Sequence, residues 1–468
     1  MIIKQSKTGV SYEIKENTAI ITGASDMAVN ISIPKNIKVK DSKCKVIEIN
    51  SGAFKNNKTI KSVDMSKSEV EKIKKDTFNS SSLEEITVPN SCGEFGENSF
   101  KKCIFLNKIT ILEGSKLKII SEYAFFESNI TEIKFPASLE EIHKLAFCLC
   151  TNLKTVDFGE NLHLKIIDDE SFSHTGIEQL KIPQHTTQIG DRAFYECKQL
   201  KKVDIDINSS LEKLGNEAFF GTQIIEITLP INLQIIGYRC FDINPEAKVS
   251  EKPEENSTKQ PEEESPEQPE EESPEQKQIN GLQSISISKD HKYFSVISEK
   301  ESISQEQIRI FNSPFLVLTK SEILKEESNF DSIIFATYDM EDYKIPSYVK
   351  IIKKYAFENR KSLQNISFGE ESFFRVIEEY AFHNSTLKSI NLPNSLTRLE
   401  KGAFCGCSNL HDIDLRDKYL KFVGDDAFAR TSITKIVIPK SLKDIGNIFK
   451  DTKIDNIVVN DYNKYFKA

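Results

Sequence analysis

One aromatic residue recurs along this chain at intervals that a domain built on a single compact core would not produce. It stands at Phe54, Phe78, Phe100, Phe125, Phe147, Phe172, Phe194, Phe219 and Phe241, spaced 24, 22, 25, 22, 25, 22, 25 and 22 residues apart. The series restarts at Phe357, Phe382, Phe404, Phe428 and Phe449, with spacings of 25, 22, 24 and 21. Prolines keep the same time: Pro89, Pro136, Pro183 and Pro230 are 47 apart, and Pro346, Pro393 and Pro439 follow at 47 and 46. A period in the low twenties, doubling to a 47-residue unit, is the mark of stacked coils. A solenoid grows by adding coils, so a length of 468 residues does not imply three separate domains. Function must then be sought on an extended surface.

The repeat can be read as a physical object. In Leu153 to Phe172 (LKTVDFGENLHLKIIDDESF), Leu153, Val156 and Phe158 alternate as a short strand does, and Leu164 and Ile167 lead to Ser171-Phe172. The partner coil, Ile177 to Phe194 (IEQLKIPQHTTQIGDRAF), repeats the strand, then places Pro183 where it ends. Proline cannot donate to a ladder, so it turns the chain. Ala-Phe reads as small-then-large packing at a short helical turn, with the ring pointing into the coil. The acid pairs Asp168-Asp169 and Asp425-Asp426 precede the repeat phenylalanine and suit capping of such a turn better than sharing a proton. Cys103, Cys150 and Cys197, again 47 apart, and Cys407 each follow the phenylalanine by three residues. Locked to the repeat phase, they read as small buried fillers. Cys148-x-Cys150 and Cys405-x-Cys407 lack a second pair or histidines at ligand spacing, so the nine cysteines read as free thiols, which suits a reducing compartment.

These features resemble the BspA-like branch of the leucine-rich-repeat family, whose running motif is LP-x-SL-x-x-I-G-x-x-AF-x-x-C-x-x-L-x-x-I. The likeness is carried by Phe135 to Phe147 (FPASLEEIHKLAF), Leu392 to Leu410 (LPNSLTRLEKGAFCGCSNL) and Ile438 to Gly446 (IPKSLKDIG), and it covers residues 10–243 and 345–460. It implies a β-rich α/β leucine-rich-repeat solenoid, with a parallel sheet on the concave face and short helical turns at the Ala-Phe positions. The resemblance also implies a surface antigen or adhesin that binds protein partners, since such roles are common in the family. The residues themselves point elsewhere on location. Met1 to Val10 holds no apolar run long enough for a signal peptide, and no stretch approaches the roughly 18 apolar residues of a membrane span, which by sequence places the chain in the cytoplasm.

The period breaks once. Pro245 to Gln278 carries 12 Glu and 4 Lys and contains QPEEESPE twice, at Gln260 to Glu267 and Gln268 to Glu275. Such a segment cannot bury enough apolar area to fold, and reads as an extended spacer or as a regulatory loop phosphorylated at the Ser-Pro sites Ser265 and Ser273. Apart from this tract the net charge of −9 falls almost to neutral, so no basic stripe argues for nucleic acid. From Phe241 to the next strand leucine, Leu282, the chain takes 41 residues rather than the usual six, as expected of an insertion into one coil. Gly281 to Val296 (GLQSISISKDHKYFSV) resembles Lys453 to Ala468 (KIDNIVVNDYNKYFKA), which again favours one solenoid with a loop thrown out. The divisions expected are a β cap over 1–45, a first block over 46–243, the acidic insertion over 244–279, irregular coils over 280–345 and a second block over 346–468. Either the edge at Ala468 is open, which would favour self-association, or a short cap suffices there.

No sequence motif supports catalysis. The seven histidines share no spacing, and no P-loop, GxSxG or GxGxxG is present, so neither an enzyme nor a cofactor or metal site is expected. The outward strand positions remain. One column reads Asp64, Thr87, Thr110, Lys134, Asp157, Lys181, Asp204 and Thr228, then Ser286, Ser367, Asn391, Asp414, Val437 and Val458. With strands about 4.8 Å apart, Lys134, Asp157, Lys181 and Asp204 form a row of alternating charge, either a solvated, mutually paired face or a polar recognition strip for a protein partner. The competing function is an intracellular scaffold whose acidic insertion is a phosphorylatable docking segment.

Overall fold

The computed structural model describes residues 2–4, 9–39, 42–160, 162–242, 282, 284–288, 291, 294–298, 302–303, 307–310, 315–320, 330–337, 340–416 and 418–466. The acidic insertion, with Ser265 and Ser273, lies outside them. Each coil contributes three stacked layers. The first is a strand of two to five residues, and in Glu132–Lys134, Thr155–Asp157 and Gln179–Lys181 the middle side chain is buried between two exposed ones. The second is a two-residue strand, such as Glu141–Ile142 or Ile166–Ile167, stacked in parallel on its neighbours. The third is the turn that holds the repeat phenylalanine.

Proline ends the first strand by opening a turn. The carbonyls of Pro136, Pro183 and Pro230 accept the amides of Leu139, Thr186 and Leu233 at 3.1, 3.1 and 3.0 Å. The serine two residues after the proline then bridges coils: the Ser138 hydroxyl donates to Ser115 O at 2.8 Å and Ser441 to Lys418 O at 2.7 Å.

The third layer corrects the expectation of short helical turns: among the described residues there is no helix. A helix returns each amide to its own chain, whereas here alternate amides leave for the next coil. Around Phe147, the amides of Ala146, Cys148 and Cys150 bond three residues back, while Leu145, Phe147 and Leu149 donate to Asp169, Ser171 and Ser173 of the following coil at 3.0, 2.7 and 2.9 Å. This requires left-handed backbone two residues either side of the ring, seen at Leu145 (φ 58°) and Leu149 (φ 62°), and taken by glycine at Gly402 and Gly406 of the Phe404 coil. A non-glycine residue there gives up about 1–2 kcal/mol, offset by the coil-to-coil bonds. The acid pairs follow the same logic. Asp169 Oδ1 accepts the Asp191 amide at 2.7 Å and Asp425 Oδ1 the Asn447 amide at 2.7 Å, so they tie adjacent coils rather than cap a helix.

The rings form two spines. Phe54 through Phe241 stack with centroids 4.8 to 5.8 Å apart and planes within 19°, and Phe357 through Phe449 with centroids 4.9 to 6.1 Å apart. The phased cysteines are buried as anticipated and also donate: Cys103, Cys150, Cys197 and Cys407 reach the carbonyls of Phe78, Phe125, Phe172 and Phe382 at 3.0 to 3.1 Å. At the N-terminal end, Val10–Lys15 and Thr18–Ala24 form a hairpin, and Thr18–Ala24 pairs in parallel with Ser42–Ile49. This hairpin closes the core over Tyr12 and Ile21.

After Phe241 the first strand layer continues, Ser284–Ser288 lying in parallel register with Glu226–Leu229. Antiparallel pairing then intervenes: Phe294–Ser298 with Phe315–Lys320, and Phe315–Lys320 with Phe330–Ala336. These last two strands divide the core, Val317 and Phe335 packing into the first half and Leu318, Ile333 and Ala336 into the second. Ala336 holds the place of a spine phenylalanine, its amide donating to Ala356 O at 3.1 Å as Phe125 donates to Ala146.

The likeness between 281–296 and 453–468 has a structural counterpart. His291 Nε2 lies 2.9 Å from Pro230 O, and its Nδ1 accepts the Phe294 amide at 3.2 Å. Asn463, in the equivalent place, donates to Pro439 O at 2.7 Å and accepts the Phe466 amide at 2.9 Å. Burial holds the His291 pKa below its ordinary value. A group so depressed is neutral in the fold, and its contribution is complete above the unfolded value of about 6.5 and lost as pH falls below it. His291→Asn is therefore expected to keep stability at pH 7.5 and to flatten its decline toward pH 5, whereas His291→Ala should lose about 1–3 kcal/mol at pH 7.5. Urea melts at the two pH values check both.

Candidate functional site: a charged groove along the strand layer

The outward column forms as a physical row. Asp64 stands opposite Thr87, and Thr87 opposite Thr110. Lys134 stands opposite Asp157, Lys181 opposite Asp204, and Thr228 opposite Ser286. Lys134, Asp157, Lys181 and Asp204 are all exposed. Alternation along a strand explains this, because Ile133, Val156, Leu180 and Val203 between them are buried in the core. The row is not one continuous ladder: Thr155–Asp157 pairs back to Glu132–Lys134, and Gln179–Lys181 pairs forward to Lys202–Asp204.

A groove of about 690 Å³ runs over this stretch and takes in Asp157, Lys181, Asp204, Thr228 and Ser286. Lys134 is outside it. Its walls bring in residues the column alone did not single out: Glu160 and Leu162 on one loop, Asp206 on another, and Lys202, Glu226 and the buried Ser284 from the start of the strands. Their signal in sequence was the same two-residue alternation, shifted to the start of each strand. Five carboxylates of the lining (Asp157, Glu160, Asp204, Asp206 and Glu226) face two lysines, Lys181 and Lys202, so the groove is acidic. Lys202 is engaged with Asp204 at 3.3 Å, and Asp157 Oδ1 accepts the Gly159 amide at 2.7 Å, which steadies the loop at the groove wall. Further along, Asp414 is held below the usual carboxylate range mainly by its bonds from Arg416, at 3.0 Å to each oxygen. Among the described residues no group of three His, Cys, Asp or Glu is arranged to hold a metal ion, and no helix is long and apolar enough to cross a membrane.

Parallel strands, in-phase leucines and a stacked aromatic spine define a leucine-rich-repeat solenoid. Six copies of the BspA type leucine rich repeat region match residues 30–154, 118–248 and 328–460, and the chain belongs to that family. A leucine-rich repeat protein from Bacteroides ovatus is similar in structure, with a TM-score of 0.56 at 21% identity, over 94% of this chain and 89% of that one. A leucine rich cell surface protein from Faecalibacterium prausnitzii gives a TM-score of 0.54 at 21% identity, over 98% and 95%. No curated protein matches the sequence.

Proposed function

We propose that this chain is a non-enzymatic protein-binding solenoid of the surface-antigen or adhesin type, and that the acidic groove is where a partner docks. The observation that carries the reading is the groove itself: a row of charged side chains held in register on a hydrogen-bonded scaffold, with five carboxylates against two lysines. Fixed charge of one sign recruits complementary surface and makes association sensitive to salt, so the partner presents a basic, polar segment. The likeness to a cell surface protein supports placement outside the cell.

The test is capture from detergent-solubilised cell extract by the intact chain, by Asp157→Lys with Asp204→Lys, and by Lys134→Glu as a control outside the groove. Proteins retained by the intact chain and the control should be lost from the double variant, with binding weakened on the order of tenfold or more and the salt dependence reduced. Equal retention by all three would place binding elsewhere on the solenoid. Antibody staining of intact cells checks the location, and label appearing only after permeabilisation would leave the intracellular scaffold.

A further inference from the structure

The residue directly after each spine phenylalanine forms a column of its own on the turn layer. Through the junction between the two halves it reads Asp242, Glu358, His383 and Cys405. Backbone bonds set the spacing: the Asn359 amide donates to His383 O at 2.8 Å, and the Asn384 amide to Cys405 O at 2.9 Å. An acid, an imidazole and a thiol therefore stand one coil apart in that order. Glu358 Oε1 lies 2.8 Å from His383 Nδ1, and Arg239 holds the same carboxylate at 2.8 Å. His383 and Cys405 stand on adjacent coils, and Arg430 Nη2 donates to the Cys405 sulfur at 3.2 Å.

We propose that Cys405 is a reactive thiolate that is oxidised by small hydroperoxides, with His383 as proton donor, Glu358 orienting the imidazole and Arg430 steadying the sulfur. A thiol that accepts a hydrogen bond from a guanidinium, beside an imidazole oriented by a carboxylate, is an arrangement that activates sulfur as a nucleophile. Burial pushes the Cys405 thiol up, but neighbouring His383 and the bond from Arg430 outweigh it and hold the thiol below its usual range. Burial likewise opposes charge on His383, yet neighbouring Cys405 and the bond to Glu358 raise it to about 9. Both shifts favour the thiolate and imidazolium forms of the pair. The sulfur attacks the distal peroxide oxygen, the S–O bond forms as O–O breaks, and the leaving alkoxide or hydroxide takes the imidazolium proton. Cysteine becomes sulfenic acid, the hydroperoxide becomes alcohol or water, and His383 is left neutral.

The molecule carries its own reference. Cys148 follows Phe147 as Cys405 follows Phe404, and both are 5% exposed. Cys148 has neither cation, and burial with Glu170 beside it raises it to about 12. Cys407, two residues from Cys405, donates to Phe382 O and is held at about 12, chiefly by burial. Geometry alone separates the three sulfurs.

The experiment exposes the full chain briefly to hydrogen peroxide with dimedone present, and reads adducts at each cysteine by peptide mass spectrometry from pH 5 to 9. Cys405 should gain adduct roughly tenfold or more faster than Cys148, with an inflection below the ordinary thiol value near 8.5. Arg430 is exposed, so Arg430→Gln leaves the core intact and should slow Cys405 several-fold while moving its inflection up. His383→Asn should do the same where circular dichroism shows the fold retained. The groups that face this site and shape the profile are Glu358 and Tyr380 beside His383, and Asp426 and Asp451 beside Arg430. Cys405 reacting no faster than Cys148, or Arg430→Gln leaving both rate and inflection unchanged, overturns the proposal.

Discussion

Replacing Arg360 with alanine is expected to destabilise the molecule by about 3–5 kcal/mol, among the largest losses a single substitution here can cause. Arg360 has no exposed surface, and its partner Asp242 is 2% exposed. Their side chains meet at 3.1 Å across 118 residues of sequence. The remaining guanidinium nitrogens are used as well, Nε donating to Ala336 O at 2.7 Å and Nη1 to Glu358 O at 2.6 Å. Removing the arginine strands a carboxylate that burial already pushes toward its neutral form. The loss therefore contains a desolvation penalty for Asp242 besides the vanished bonds. Arg360→Met with Asp242→Leu removes both charges and should recover most of it, whereas Asp242→Leu alone should not. Urea unfolding of the three variants checks this, and a loss under 1 kcal/mol for Arg360→Ala would show that the pair does not hold the junction.

Why an arginine stands there follows from the repeat. Arg360 comes three residues after Phe357, the slot filled by Cys103, Cys150, Cys197 and Cys407 in other coils. In those coils a thiol donates to the carbonyl of the preceding spine phenylalanine. Here the preceding spine position is Ala336, too small to fill the core, and Phe335 turns edge-on to Phe241 at 6.4 Å and 84°. The longer side chain makes the same backbone bond as the cysteine, lies 5.1 Å from the Phe335 ring, and reaches Asp242 beyond. The two halves are thus joined by a coil with altered contents.

That coil marks the limit of what sequence could reveal. The strands, the buried middle positions, the ring spines and the outward column were legible because each repeats with a fixed period, and a period is a global signal. Ala336 was not, because the rule that finds a coil is the phenylalanine it lacks. The turn layer was misjudged for a different reason. Ala-Phe with flanking acids suits a helix locally, and only neighbouring coils, by accepting alternate amides, make left-handed residues such as Leu145 and Leu149 favourable. The groove was half legible: Asp157, Lys181 and Asp204 fall on the periodic column, while Glu160 and Asp206 lie on loops whose path no alternation predicts. The Glu358, His383 and Cys405 row was hidden because residues 25 and 22 apart share no motif until the coils are stacked.

Phe147→Ala is expected to lose about 3–5 kcal/mol, and Asp157→Ala, ten residues on, within about 0.5 kcal/mol. The Phe147 ring stacks on Phe125 and Phe172 at 4.9 Å each, and Phe135 meets its edge at 5.8 Å. Alanine leaves a void on both faces, and the surrounding backbone cannot collapse into it because its amides are already committed to coils above and below. In a stack where each coil contacts only its neighbours, the defect weakens two interfaces and leaves the rest intact. Unfolding should then lose cooperativity, with the coils before Phe125 and those after Phe172 separating at different denaturant concentrations. Hydrogen exchange read along the chain locates the break: protection should fall first at the Phe125 and Phe147 amides, which donate to Ala146 O and Ser171 O. Asp157→Ala has an exposed side chain and no buried neighbour to strand, so its melting curve should overlay the parent's. Equal melting temperatures for the two variants would reverse the assignment of inside and outside on which the spine, the column and the groove all depend.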